Sequence, residues 1–395
     1  MRIENGLPVL ELESFITGMK KALPSLIRFL NSDRVRQHPI WGQLLPFHVR
    51  PYGTGRSPGH IVRPDIVITE HGPRITEIDF VPSGRGFLLS VLREQEQRDF
   101  LRSFSQWYRD MGADKVSYGT TTKDGCRPEV RLFAERLRDM MGVDIQAHDM
   151  DTEANLVNGH LVDRLFYWSE LPDRTVVDGK NIMTREPWLD SKMIFAMIHH
   201  SNPEMTQILE EEIGAENLRF LRKVIPHTEA LDLLDETVLR ARFSTKEARA
   251  GVVIKSTDVE TDESWGARGT SMPRRGMSAT QFFKAVIDRV PPKGKSLGDH
   301  PVLQDFEPSL DFTQVWNGAV DGRIRLADPD QLDRPLGEVT SQYASWLVFA
   351  RVGVYFLLNN ETDSVIVPPY GIVTLRQNEV AHGAADSMIT AFEIN

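Results

Sequence analysis

The chain has 395 residues, more than a single core usually holds, and its length points to two or three packed subdomains. Its apolar fraction of 41% and charged fraction of 26% are those of an ordinary soluble globular protein. The formal net charge of −10 argues against a nucleic-acid partner, and the single cysteine, Cys126, excludes a disulfide framework or a cysteine-rich zinc site within one chain.

In chain order, residues 9–31 read as an amphipathic helix, with Leu10, Phe15, Met19, Leu23 and Leu26 at helical spacing and Pro24 as a kink or an end. Residues 40–62 are rich in Pro, Gly and His and read as loop. A hairpin follows: Asp65–Thr69, a turn at His71-Gly72-Pro73, then Arg74–Phe80. One long helix is predicted from Phe87 to Met111. Strands Lys115–Thr121, Val143–Ala147 and Leu161–Trp168, with a helix Pro128–Met141 among them, predict a small, largely parallel sheet. Helices are expected at Asp190–His200 and Pro203–Leu221, with Glu210, Glu211 and Glu212 on a solvated face. A short strand, Gly251–Lys255, leads into a polar loop, Ser256–Ser271. A helix at Ala279–Val290 and a Pro/Gly/Lys connector precede a C-terminal region, Pro301–Asn395, that is mostly strand. Its apolar run near Ala344–Leu358 is broken by Ser345, Arg351 and Gly353, and reads as buried strands. No run reaches the roughly 18 apolar residues of a membrane span, the N-terminus shows no signal pattern, and the cysteine usage fits the cytosol.

The sharpest chemical feature is Arg63-Pro64-Asp65 followed by Glu77-Ile78-Asp79. Glu77 and Asp79 are two apart on a strand and share a face. A turn centred on Gly72 would set Asp65 opposite Asp79, so three carboxylates would converge. Their mutual repulsion is relieved by a cation, and hard oxygen ligands suit magnesium completed by substrate phosphates. Arg63 could add charge-assisted contacts to a phosphate, and the backbone amides of Ser83-Gly84-Arg85-Gly86 could hold an anion. The plainer alternative is the charged outer face of an ordinary hairpin.

Further along, Lys255 ends an apolar strand before a loop holding Gly266-Ala267-Arg268-Gly269. That arrangement suits phosphate neutralisation under a closing lid, or else a solvated strand end. It is not a Walker A sequence. Gln304-Asp305-Phe306 could line an adenine pocket through backbone groups, or lie at a surface strand end. Cys126, the adjacent His199 and His200, and the group His148, Asp149 and Asp151 read as structural or loop residues.

Together these pieces resemble the circularly permuted ATP-grasp family, which includes the synthetase domain of glutathionylspermidine synthetase. The family carries Arg-x-Asp, then Glu-x-Asn, with the acidic residues serving as magnesium ligands. This chain keeps the order but has Asp79 in the asparagine position. Asn158–Arg164 is similar to the strand before the ATP-binding half. Trp188-Leu189-Asp190-Ser191-Lys192 is similar to the helix start whose lysine reaches phosphates, and Val224–Thr228 to the turn that follows. Lys255 would be the second phosphate lysine, Gly266–Gly269 the glycine loop, and Gln304–Phe306 the adenine hinge. Gly353-Val354-Tyr355 and Val373-Thr374 resemble the closing strands. The loop after Lys255 is longer and more acidic than a compact glycine loop.

The resemblance implies an α+β, α/β ATP-grasp fold, circularly permuted, with a small preATP-grasp-like α/β subdomain. The expected divisions are an N-terminal segment 1–62, the hairpin and helix 63–114, the small subdomain 115–180 and the ATP-binding part 181–395. It also implies ATP and magnesium as cofactors. Lys192 and Lys255 would hold the α- and β-phosphates, and Asp65, Glu77 and Asp79 one or two magnesium ions. Arg63 would neutralise charge as a substrate carboxylate takes the γ-phosphoryl group. An amine would then attack the acyl phosphate. The implied partners are a small-molecule carboxylate and amine, with no nucleic acid and no membrane, and a homodimer is left open. Two alternatives stand beside the ligase: a degenerate relative that binds nucleotide or a partner without catalysis, and a phosphotransferase.

Overall fold

The computed structural model describes residues 7–52, 55–122, 127–153, 160–171, 182–259, 270–271, 278–287, 300–309, 325–326, 349–376 and 388–394. Among these residues the fold is mixed α+β, built on three sheets.

The longest strand, β1 (Gly59–Thr69), pairs antiparallel with β2 (Gly72–Asp79). Next come β3 (Val116–Thr120), β4 (Ile145–Asp149) and β5 (Leu161–Arg164), which form a parallel sheet in the order β4-β3-β5. A four-stranded antiparallel sheet contains β6 (Thr228–Ala230), β7 (Val252–Lys255), β8 (Thr270–Ser271) and β9 (Val302–Asp305), in the order β6-β9-β7-β8. The chain then returns to the first sheet with β10 (Arg325–Leu326), β11 (Phe349–Gly353), β12 (Phe356–Asn359), β13 (Val365–Ile366), β14 (Tyr370–Arg376) and β15 (Met388–Glu393).

The large sheet runs β10-β15-β14-β11-β1-β12-β13, with β2 on β1. β11 and β12 follow one register along β1, from Ile66 opposite Val352 to Gly59 opposite Asn359. They part at Val354 and Tyr355, level with Arg63 and Pro64, where the proline has no N–H to give the ladder. Strand alternation divides two cores across this sheet. Val62, Ile66, Val354, Phe356 and Leu358 pack with the N-terminal helix and with residues 188–225. Ile61, Tyr355 and Leu357 pack instead with the helices Arg85–Val91, Glu94–Asp110 and Arg127–Met141. The four-stranded sheet has its own core, in which Ile254 and Leu303 meet Phe243, Phe282 and Phe283.

The parallel sheet matches the predicted pattern of strands and helix. Four other expectations need correction. Pro24 does not end the first helix, which runs Leu7–Leu30. Its inner side, with Met19, Leu23 and Leu30 fully buried, is held by packing that outweighs the missing hydrogen bond. Residues 40–62 are not all loop, because β1 begins at Gly59. The predicted helix 87–111 is two, broken at Leu92 and Arg93, where extended Arg93 starts the second and its amide donates to Glu96 Oε2 at 2.7 Å. The helix expected over Pro203–Leu221 likewise divides at Gly214, whose φ of +92° suits glycine. Among the described residues, no helix is long and apolar enough to cross a membrane.

Candidate functional site

The hairpin turn lies at Glu70 and His71, with Thr69 opposite Gly72, and not at Gly72 as its sequence suggests. Asp65 therefore faces Glu77, and Arg63 faces Asp79, which corrects the expected pairing of Asp65 with Asp79. A register shift between Asp65 and Ile66 leaves Thr76 as an extra residue on β2. This bulge has a consequence for direction. By simple alternation Ile75, Glu77 and Asp79 would share one face. With Thr76 inserted, Ile75 and Ile78 both enter the core, while Glu77 and Asp79 join Arg63 and Asp65 on the other face.

Four cations meet this face. Arg63 Nη2 donates to Asp79 Oδ2 at 3.0 Å, and its Nε lies 3.4 Å from Asp65 Oδ1. Arg351, from β11, donates to Asp65 Oδ2 at 2.6 Å. Lys192 Nζ lies 2.8 Å from Glu77 Oε1. Lys255 Nζ donates to the Thr76 carbonyl at 2.5 Å, on the residue that the bulge inserts. Two contacts hold the lysines in place. The 3-10 turn Pro187–Asp190 is pinned to the hairpin by the Phe80 amide, which donates to Asp190 Oδ1 at 2.9 Å. Ser191 Oγ then donates to the Thr257 carbonyl at 3.1 Å, tying the segment that carries Lys192 to the segment after Lys255.

Burial works against the charges of Glu77, Lys192, Lys255 and Asp79; the pairings outweigh it for the first two, and burial prevails for the others. For Glu77, burial pushes the carboxyl upward, but Lys192, Lys255 and Arg351 outweigh it and hold it below the usual range. For Lys192, burial pulls down while Glu77 raises the ammonium above its ordinary value. Lys255 has a backbone carbonyl as its hydrogen-bond acceptor, and burial brings it down to about 8 despite nearby Glu77. Asp79 is pushed up to about 6, mainly by burial, with Arg63 opposing and Asp65 and Glu77 adding to the rise. A carboxyl raised in this way binds its proton more tightly folded than unfolded. Its contribution to stability is present below its ordinary 3.8 and is lost as pH rises to about 6. Asp79→Asn should abolish that slope. The Tm difference, variant minus wild type, is expected to increase from pH 4 to pH 6; a flat difference would refute the assignment.

The anion site expected at Ser83–Gly86 is real, but the anion is the protein's own. The Glu129 carboxylate accepts from the Gly84 amide at 2.9 Å and the Gly86 amide at 2.7 Å, and Glu129 is fully buried. A Cβ on Gly86 would lie 2.1 Å from the Glu129 carbonyl oxygen, so only glycine permits this approach. No external phosphate can use those amides while Glu129 remains there.

The three carboxylates form no ready-made metal cage: among the described residues, no group of three His, Cys, Asp or Glu side chains is placed to hold a metal ion. Asp65, Glu77 and Asp79 share a face, yet each is closed by a cation. Gln304 is buried, and its side chain donates to Thr228 Oγ1 at 3.2 Å. The Asp305 amide donates to the His227 carbonyl and the Phe306 amide to Gly251, both at 2.8 Å. These two amides serve the sheet, because β9 is paired on both edges, so they do not offer the base-reading donors expected of them. Gly266, Arg268, Gly269 and Cys126 lie outside the described residues. Asp149 and Asp151 are engaged locally, by Arg127 Nε at 2.9 Å and by the Thr122 amide at 3.0 Å.

Sequence reasoning missed Arg351 and Glu129. Arg351 interrupts an apolar run, which was its only signal. Glu129 looks like any acid in the first turn of a helix.

No protein-family model matches the chain, and no curated protein does either. Among solved structures, a glutathione synthetase-like effector from Globodera pallida is similar at 11% identity and a TM-score of 0.49, over 93% of this chain and 83% of that one. A γ-glutamylcysteine synthetase candidate from Methylobacillus flagellatus is similar at 10% identity and a TM-score of 0.43, over 96% of this chain and 86% of that one. Neither likeness is strong enough to carry a reading of the site, whose chemistry follows from its own side chains.

Proposed function

We propose that this face binds magnesium and ATP, and that the chain is a circularly permuted ATP-grasp ligase joining a carboxylate to an amine. The observation that carries the reading is a convergence. Lys192 and Lys255, from separate segments, reach the neighbouring residues Glu77 and Thr76, with Arg63 and Arg351 on the same face. Such a cluster suits an oligophosphate better than a single anion. The donors also have the chemistry magnesium prefers, since Asp65, Glu77 and Asp79 supply hard oxygens, which the ion would take over from their present cation partners. Magnesium bound there would neutralise phosphate charge. Lys192 and Lys255 would position the phosphates. Arg63, fixed by Asp79 and by its bond to the Ser83 carbonyl, would meet the charge that builds up as the γ-phosphoryl group passes to a carboxylate. No side chain need act as a nucleophile, because alignment and charge neutralisation are the protein's contribution.

A second reading, nucleotide binding without turnover, is favoured by Asp79 in the asparagine position and by the closed ion pairs. The test is ADP release by the full chain with Mg-ATP and pooled amino acids and amines. Amine-dependent turnover is expected, with Arg63→Gln lowering it about 100-fold or more while the fold is kept. Mg-ATP binding without turnover selects the second reading. Phosphate transferred to an acceptor without amide formation makes the protein a phosphotransferase. Absence of Mg-ATP binding overturns the site altogether.

A further inference from the structure

The carboxylates suited to the metal are the counter-ions of the cations suited to phosphate: Glu77 with Lys192 at 2.8 Å, Asp65 with Arg351 at 2.6 Å, and Asp79 with Arg63 at 3.0 Å. We propose that this arrangement is an ion-exchange latch, so that metal and nucleotide enter as a pair and each is excluded alone. The inference rests on the reading of this face as a metal-nucleotide site.

The physical argument is one of charge balance in a buried place. The Lys192, Arg63 and Arg351 side chains are at most 15% exposed. The face carries Arg63, Lys192, Lys255 and Arg351 against Asp65, Glu77 and Asp79, with the adjacent Asp190 lying 3.8 Å from Arg164, so each of these carboxylates already has a cation beside it. Nucleotide without metal must draw Lys192 away from Glu77. That leaves the Glu77 carboxylate, half-buried at 29% exposure, without its hydrogen-bonded cation and beside a polyanion. Metal without nucleotide must draw Glu77 away from Lys192, which leaves a buried ammonium beside a dication. Breaking one side of a buried ion pair is costly, and like charges in low dielectric add to the cost. When both enter, the metal replaces Lys192 as the counter-ion of Glu77, and phosphate replaces Glu77 as the counter-ion of Lys192. Neither charge is stranded. The coupling is reciprocal by linkage, so it must appear in both ligands.

The latch makes a prediction that simple ligation does not: removing a metal-binding carboxylate should improve nucleotide binding when metal is absent. Calorimetry on the full chain would compare ATP in EDTA, Mg-ATP, and Mn2+ alone, the last also followed by electron paramagnetic resonance. Glu77→Gln is expected to bind ATP in EDTA at least fivefold tighter than wild type, while Mg-ATP binding weakens. The ratio between the two affinities should fall at least tenfold. Lys192→Gln provides the reciprocal test, and stands independently if the first variant does not fold. It should bind Mn2+ alone at least fivefold tighter than wild type and ATP in EDTA more weakly. If wild type binds no Mg-ATP, the underlying reading of the site fails. If wild type binds Mg-ATP but a folded variant binds its released ligand no tighter than wild type, the latch alone is overturned.

Discussion

Asp163→Ala should destabilise the protein by about 3–5 kcal/mol, the cost of removing one partner from a buried ion pair. Asp163 and Arg85 are 2% and 1% exposed. The pair is bidentate, with Arg85 Nη2 donating to Oδ1 at 3.1 Å and Nη1 to Oδ2. Tyr108 adds a hydroxyl that donates to Oδ2 at 2.6 Å. The guanidinium lies against aromatic rings, 4.1 Å from the Tyr118 centroid and 5.0 Å from that of Phe133. Alanine would leave that charge in an apolar pocket with no carboxylate. Urea unfolding followed by tryptophan fluorescence would measure the loss. A loss below about 1 kcal/mol would mean that solvent already compensates the pair. Asp163→Leu combined with Arg85→Met should recover part of the deficit, because removing both charges costs less than stranding one.

The effect should reach the site. Arg85 opens the helix that follows Gly84, and Ser83, just before it, accepts from Arg63. The loop at 83–86 is thus fastened twice, to the parallel sheet through Asp163 and to the helix Arg127–Met141 through Glu129. Loosening either anchor would free the guanidinium of Arg63 from its backbone partner.

Much of this was legible in the sequence where the signal is local. Alternating strands and a helix gave the parallel sheet, and two acids two apart on a strand gave a shared face. The rest depends on backbone irregularity or on distant contacts. Nothing in Thr76-Glu77 announces a bulge, yet the bulge turns Glu77 out of the core and inserts the residue whose carbonyl Lys255 holds. Arg351 stands 286 residues from Asp65, so no window of sequence reveals their pairing. Glu129 became legible only when Gly84 and Gly86 were seen to point their amides at it. The helix breaks at Arg93 and Gly214 were missed because apolar spacing continues across them. Lys192 was named from a resemblance, and what the structure adds is its counter-ion.

Nucleotide affinity should fall about tenfold per pH unit above pH 8, while the ligand-free protein grows more stable over the same range, and a single proton on Lys255 would account for both. Burial lowers this ammonium to about 8 from its ordinary 10.5. Between those values the unfolded chain keeps a proton that the folded chain has released, so stability rises with pH across the window. The charge that favours unfolding is the one that phosphate would pair with. Bound phosphate should raise the pKa of Lys255, so that binding near pH 8 takes up a proton. Calorimetry in two buffers of different ionisation enthalpy would count that proton. Lys255→Met should abolish the uptake, flatten the affinity profile and remove the rise in stability from pH 8 to 10.5. An unchanged stability profile in Lys255→Met would place the titration on another group. A lost stability slope with an unchanged affinity slope would place Lys255 outside the phosphate site. On the proposed reading the lysine is costly to the folded protein because it would be kept ready for an anion: its hydrogen-bond acceptor is a neutral carbonyl, that of Thr76 on the strand that carries Glu77.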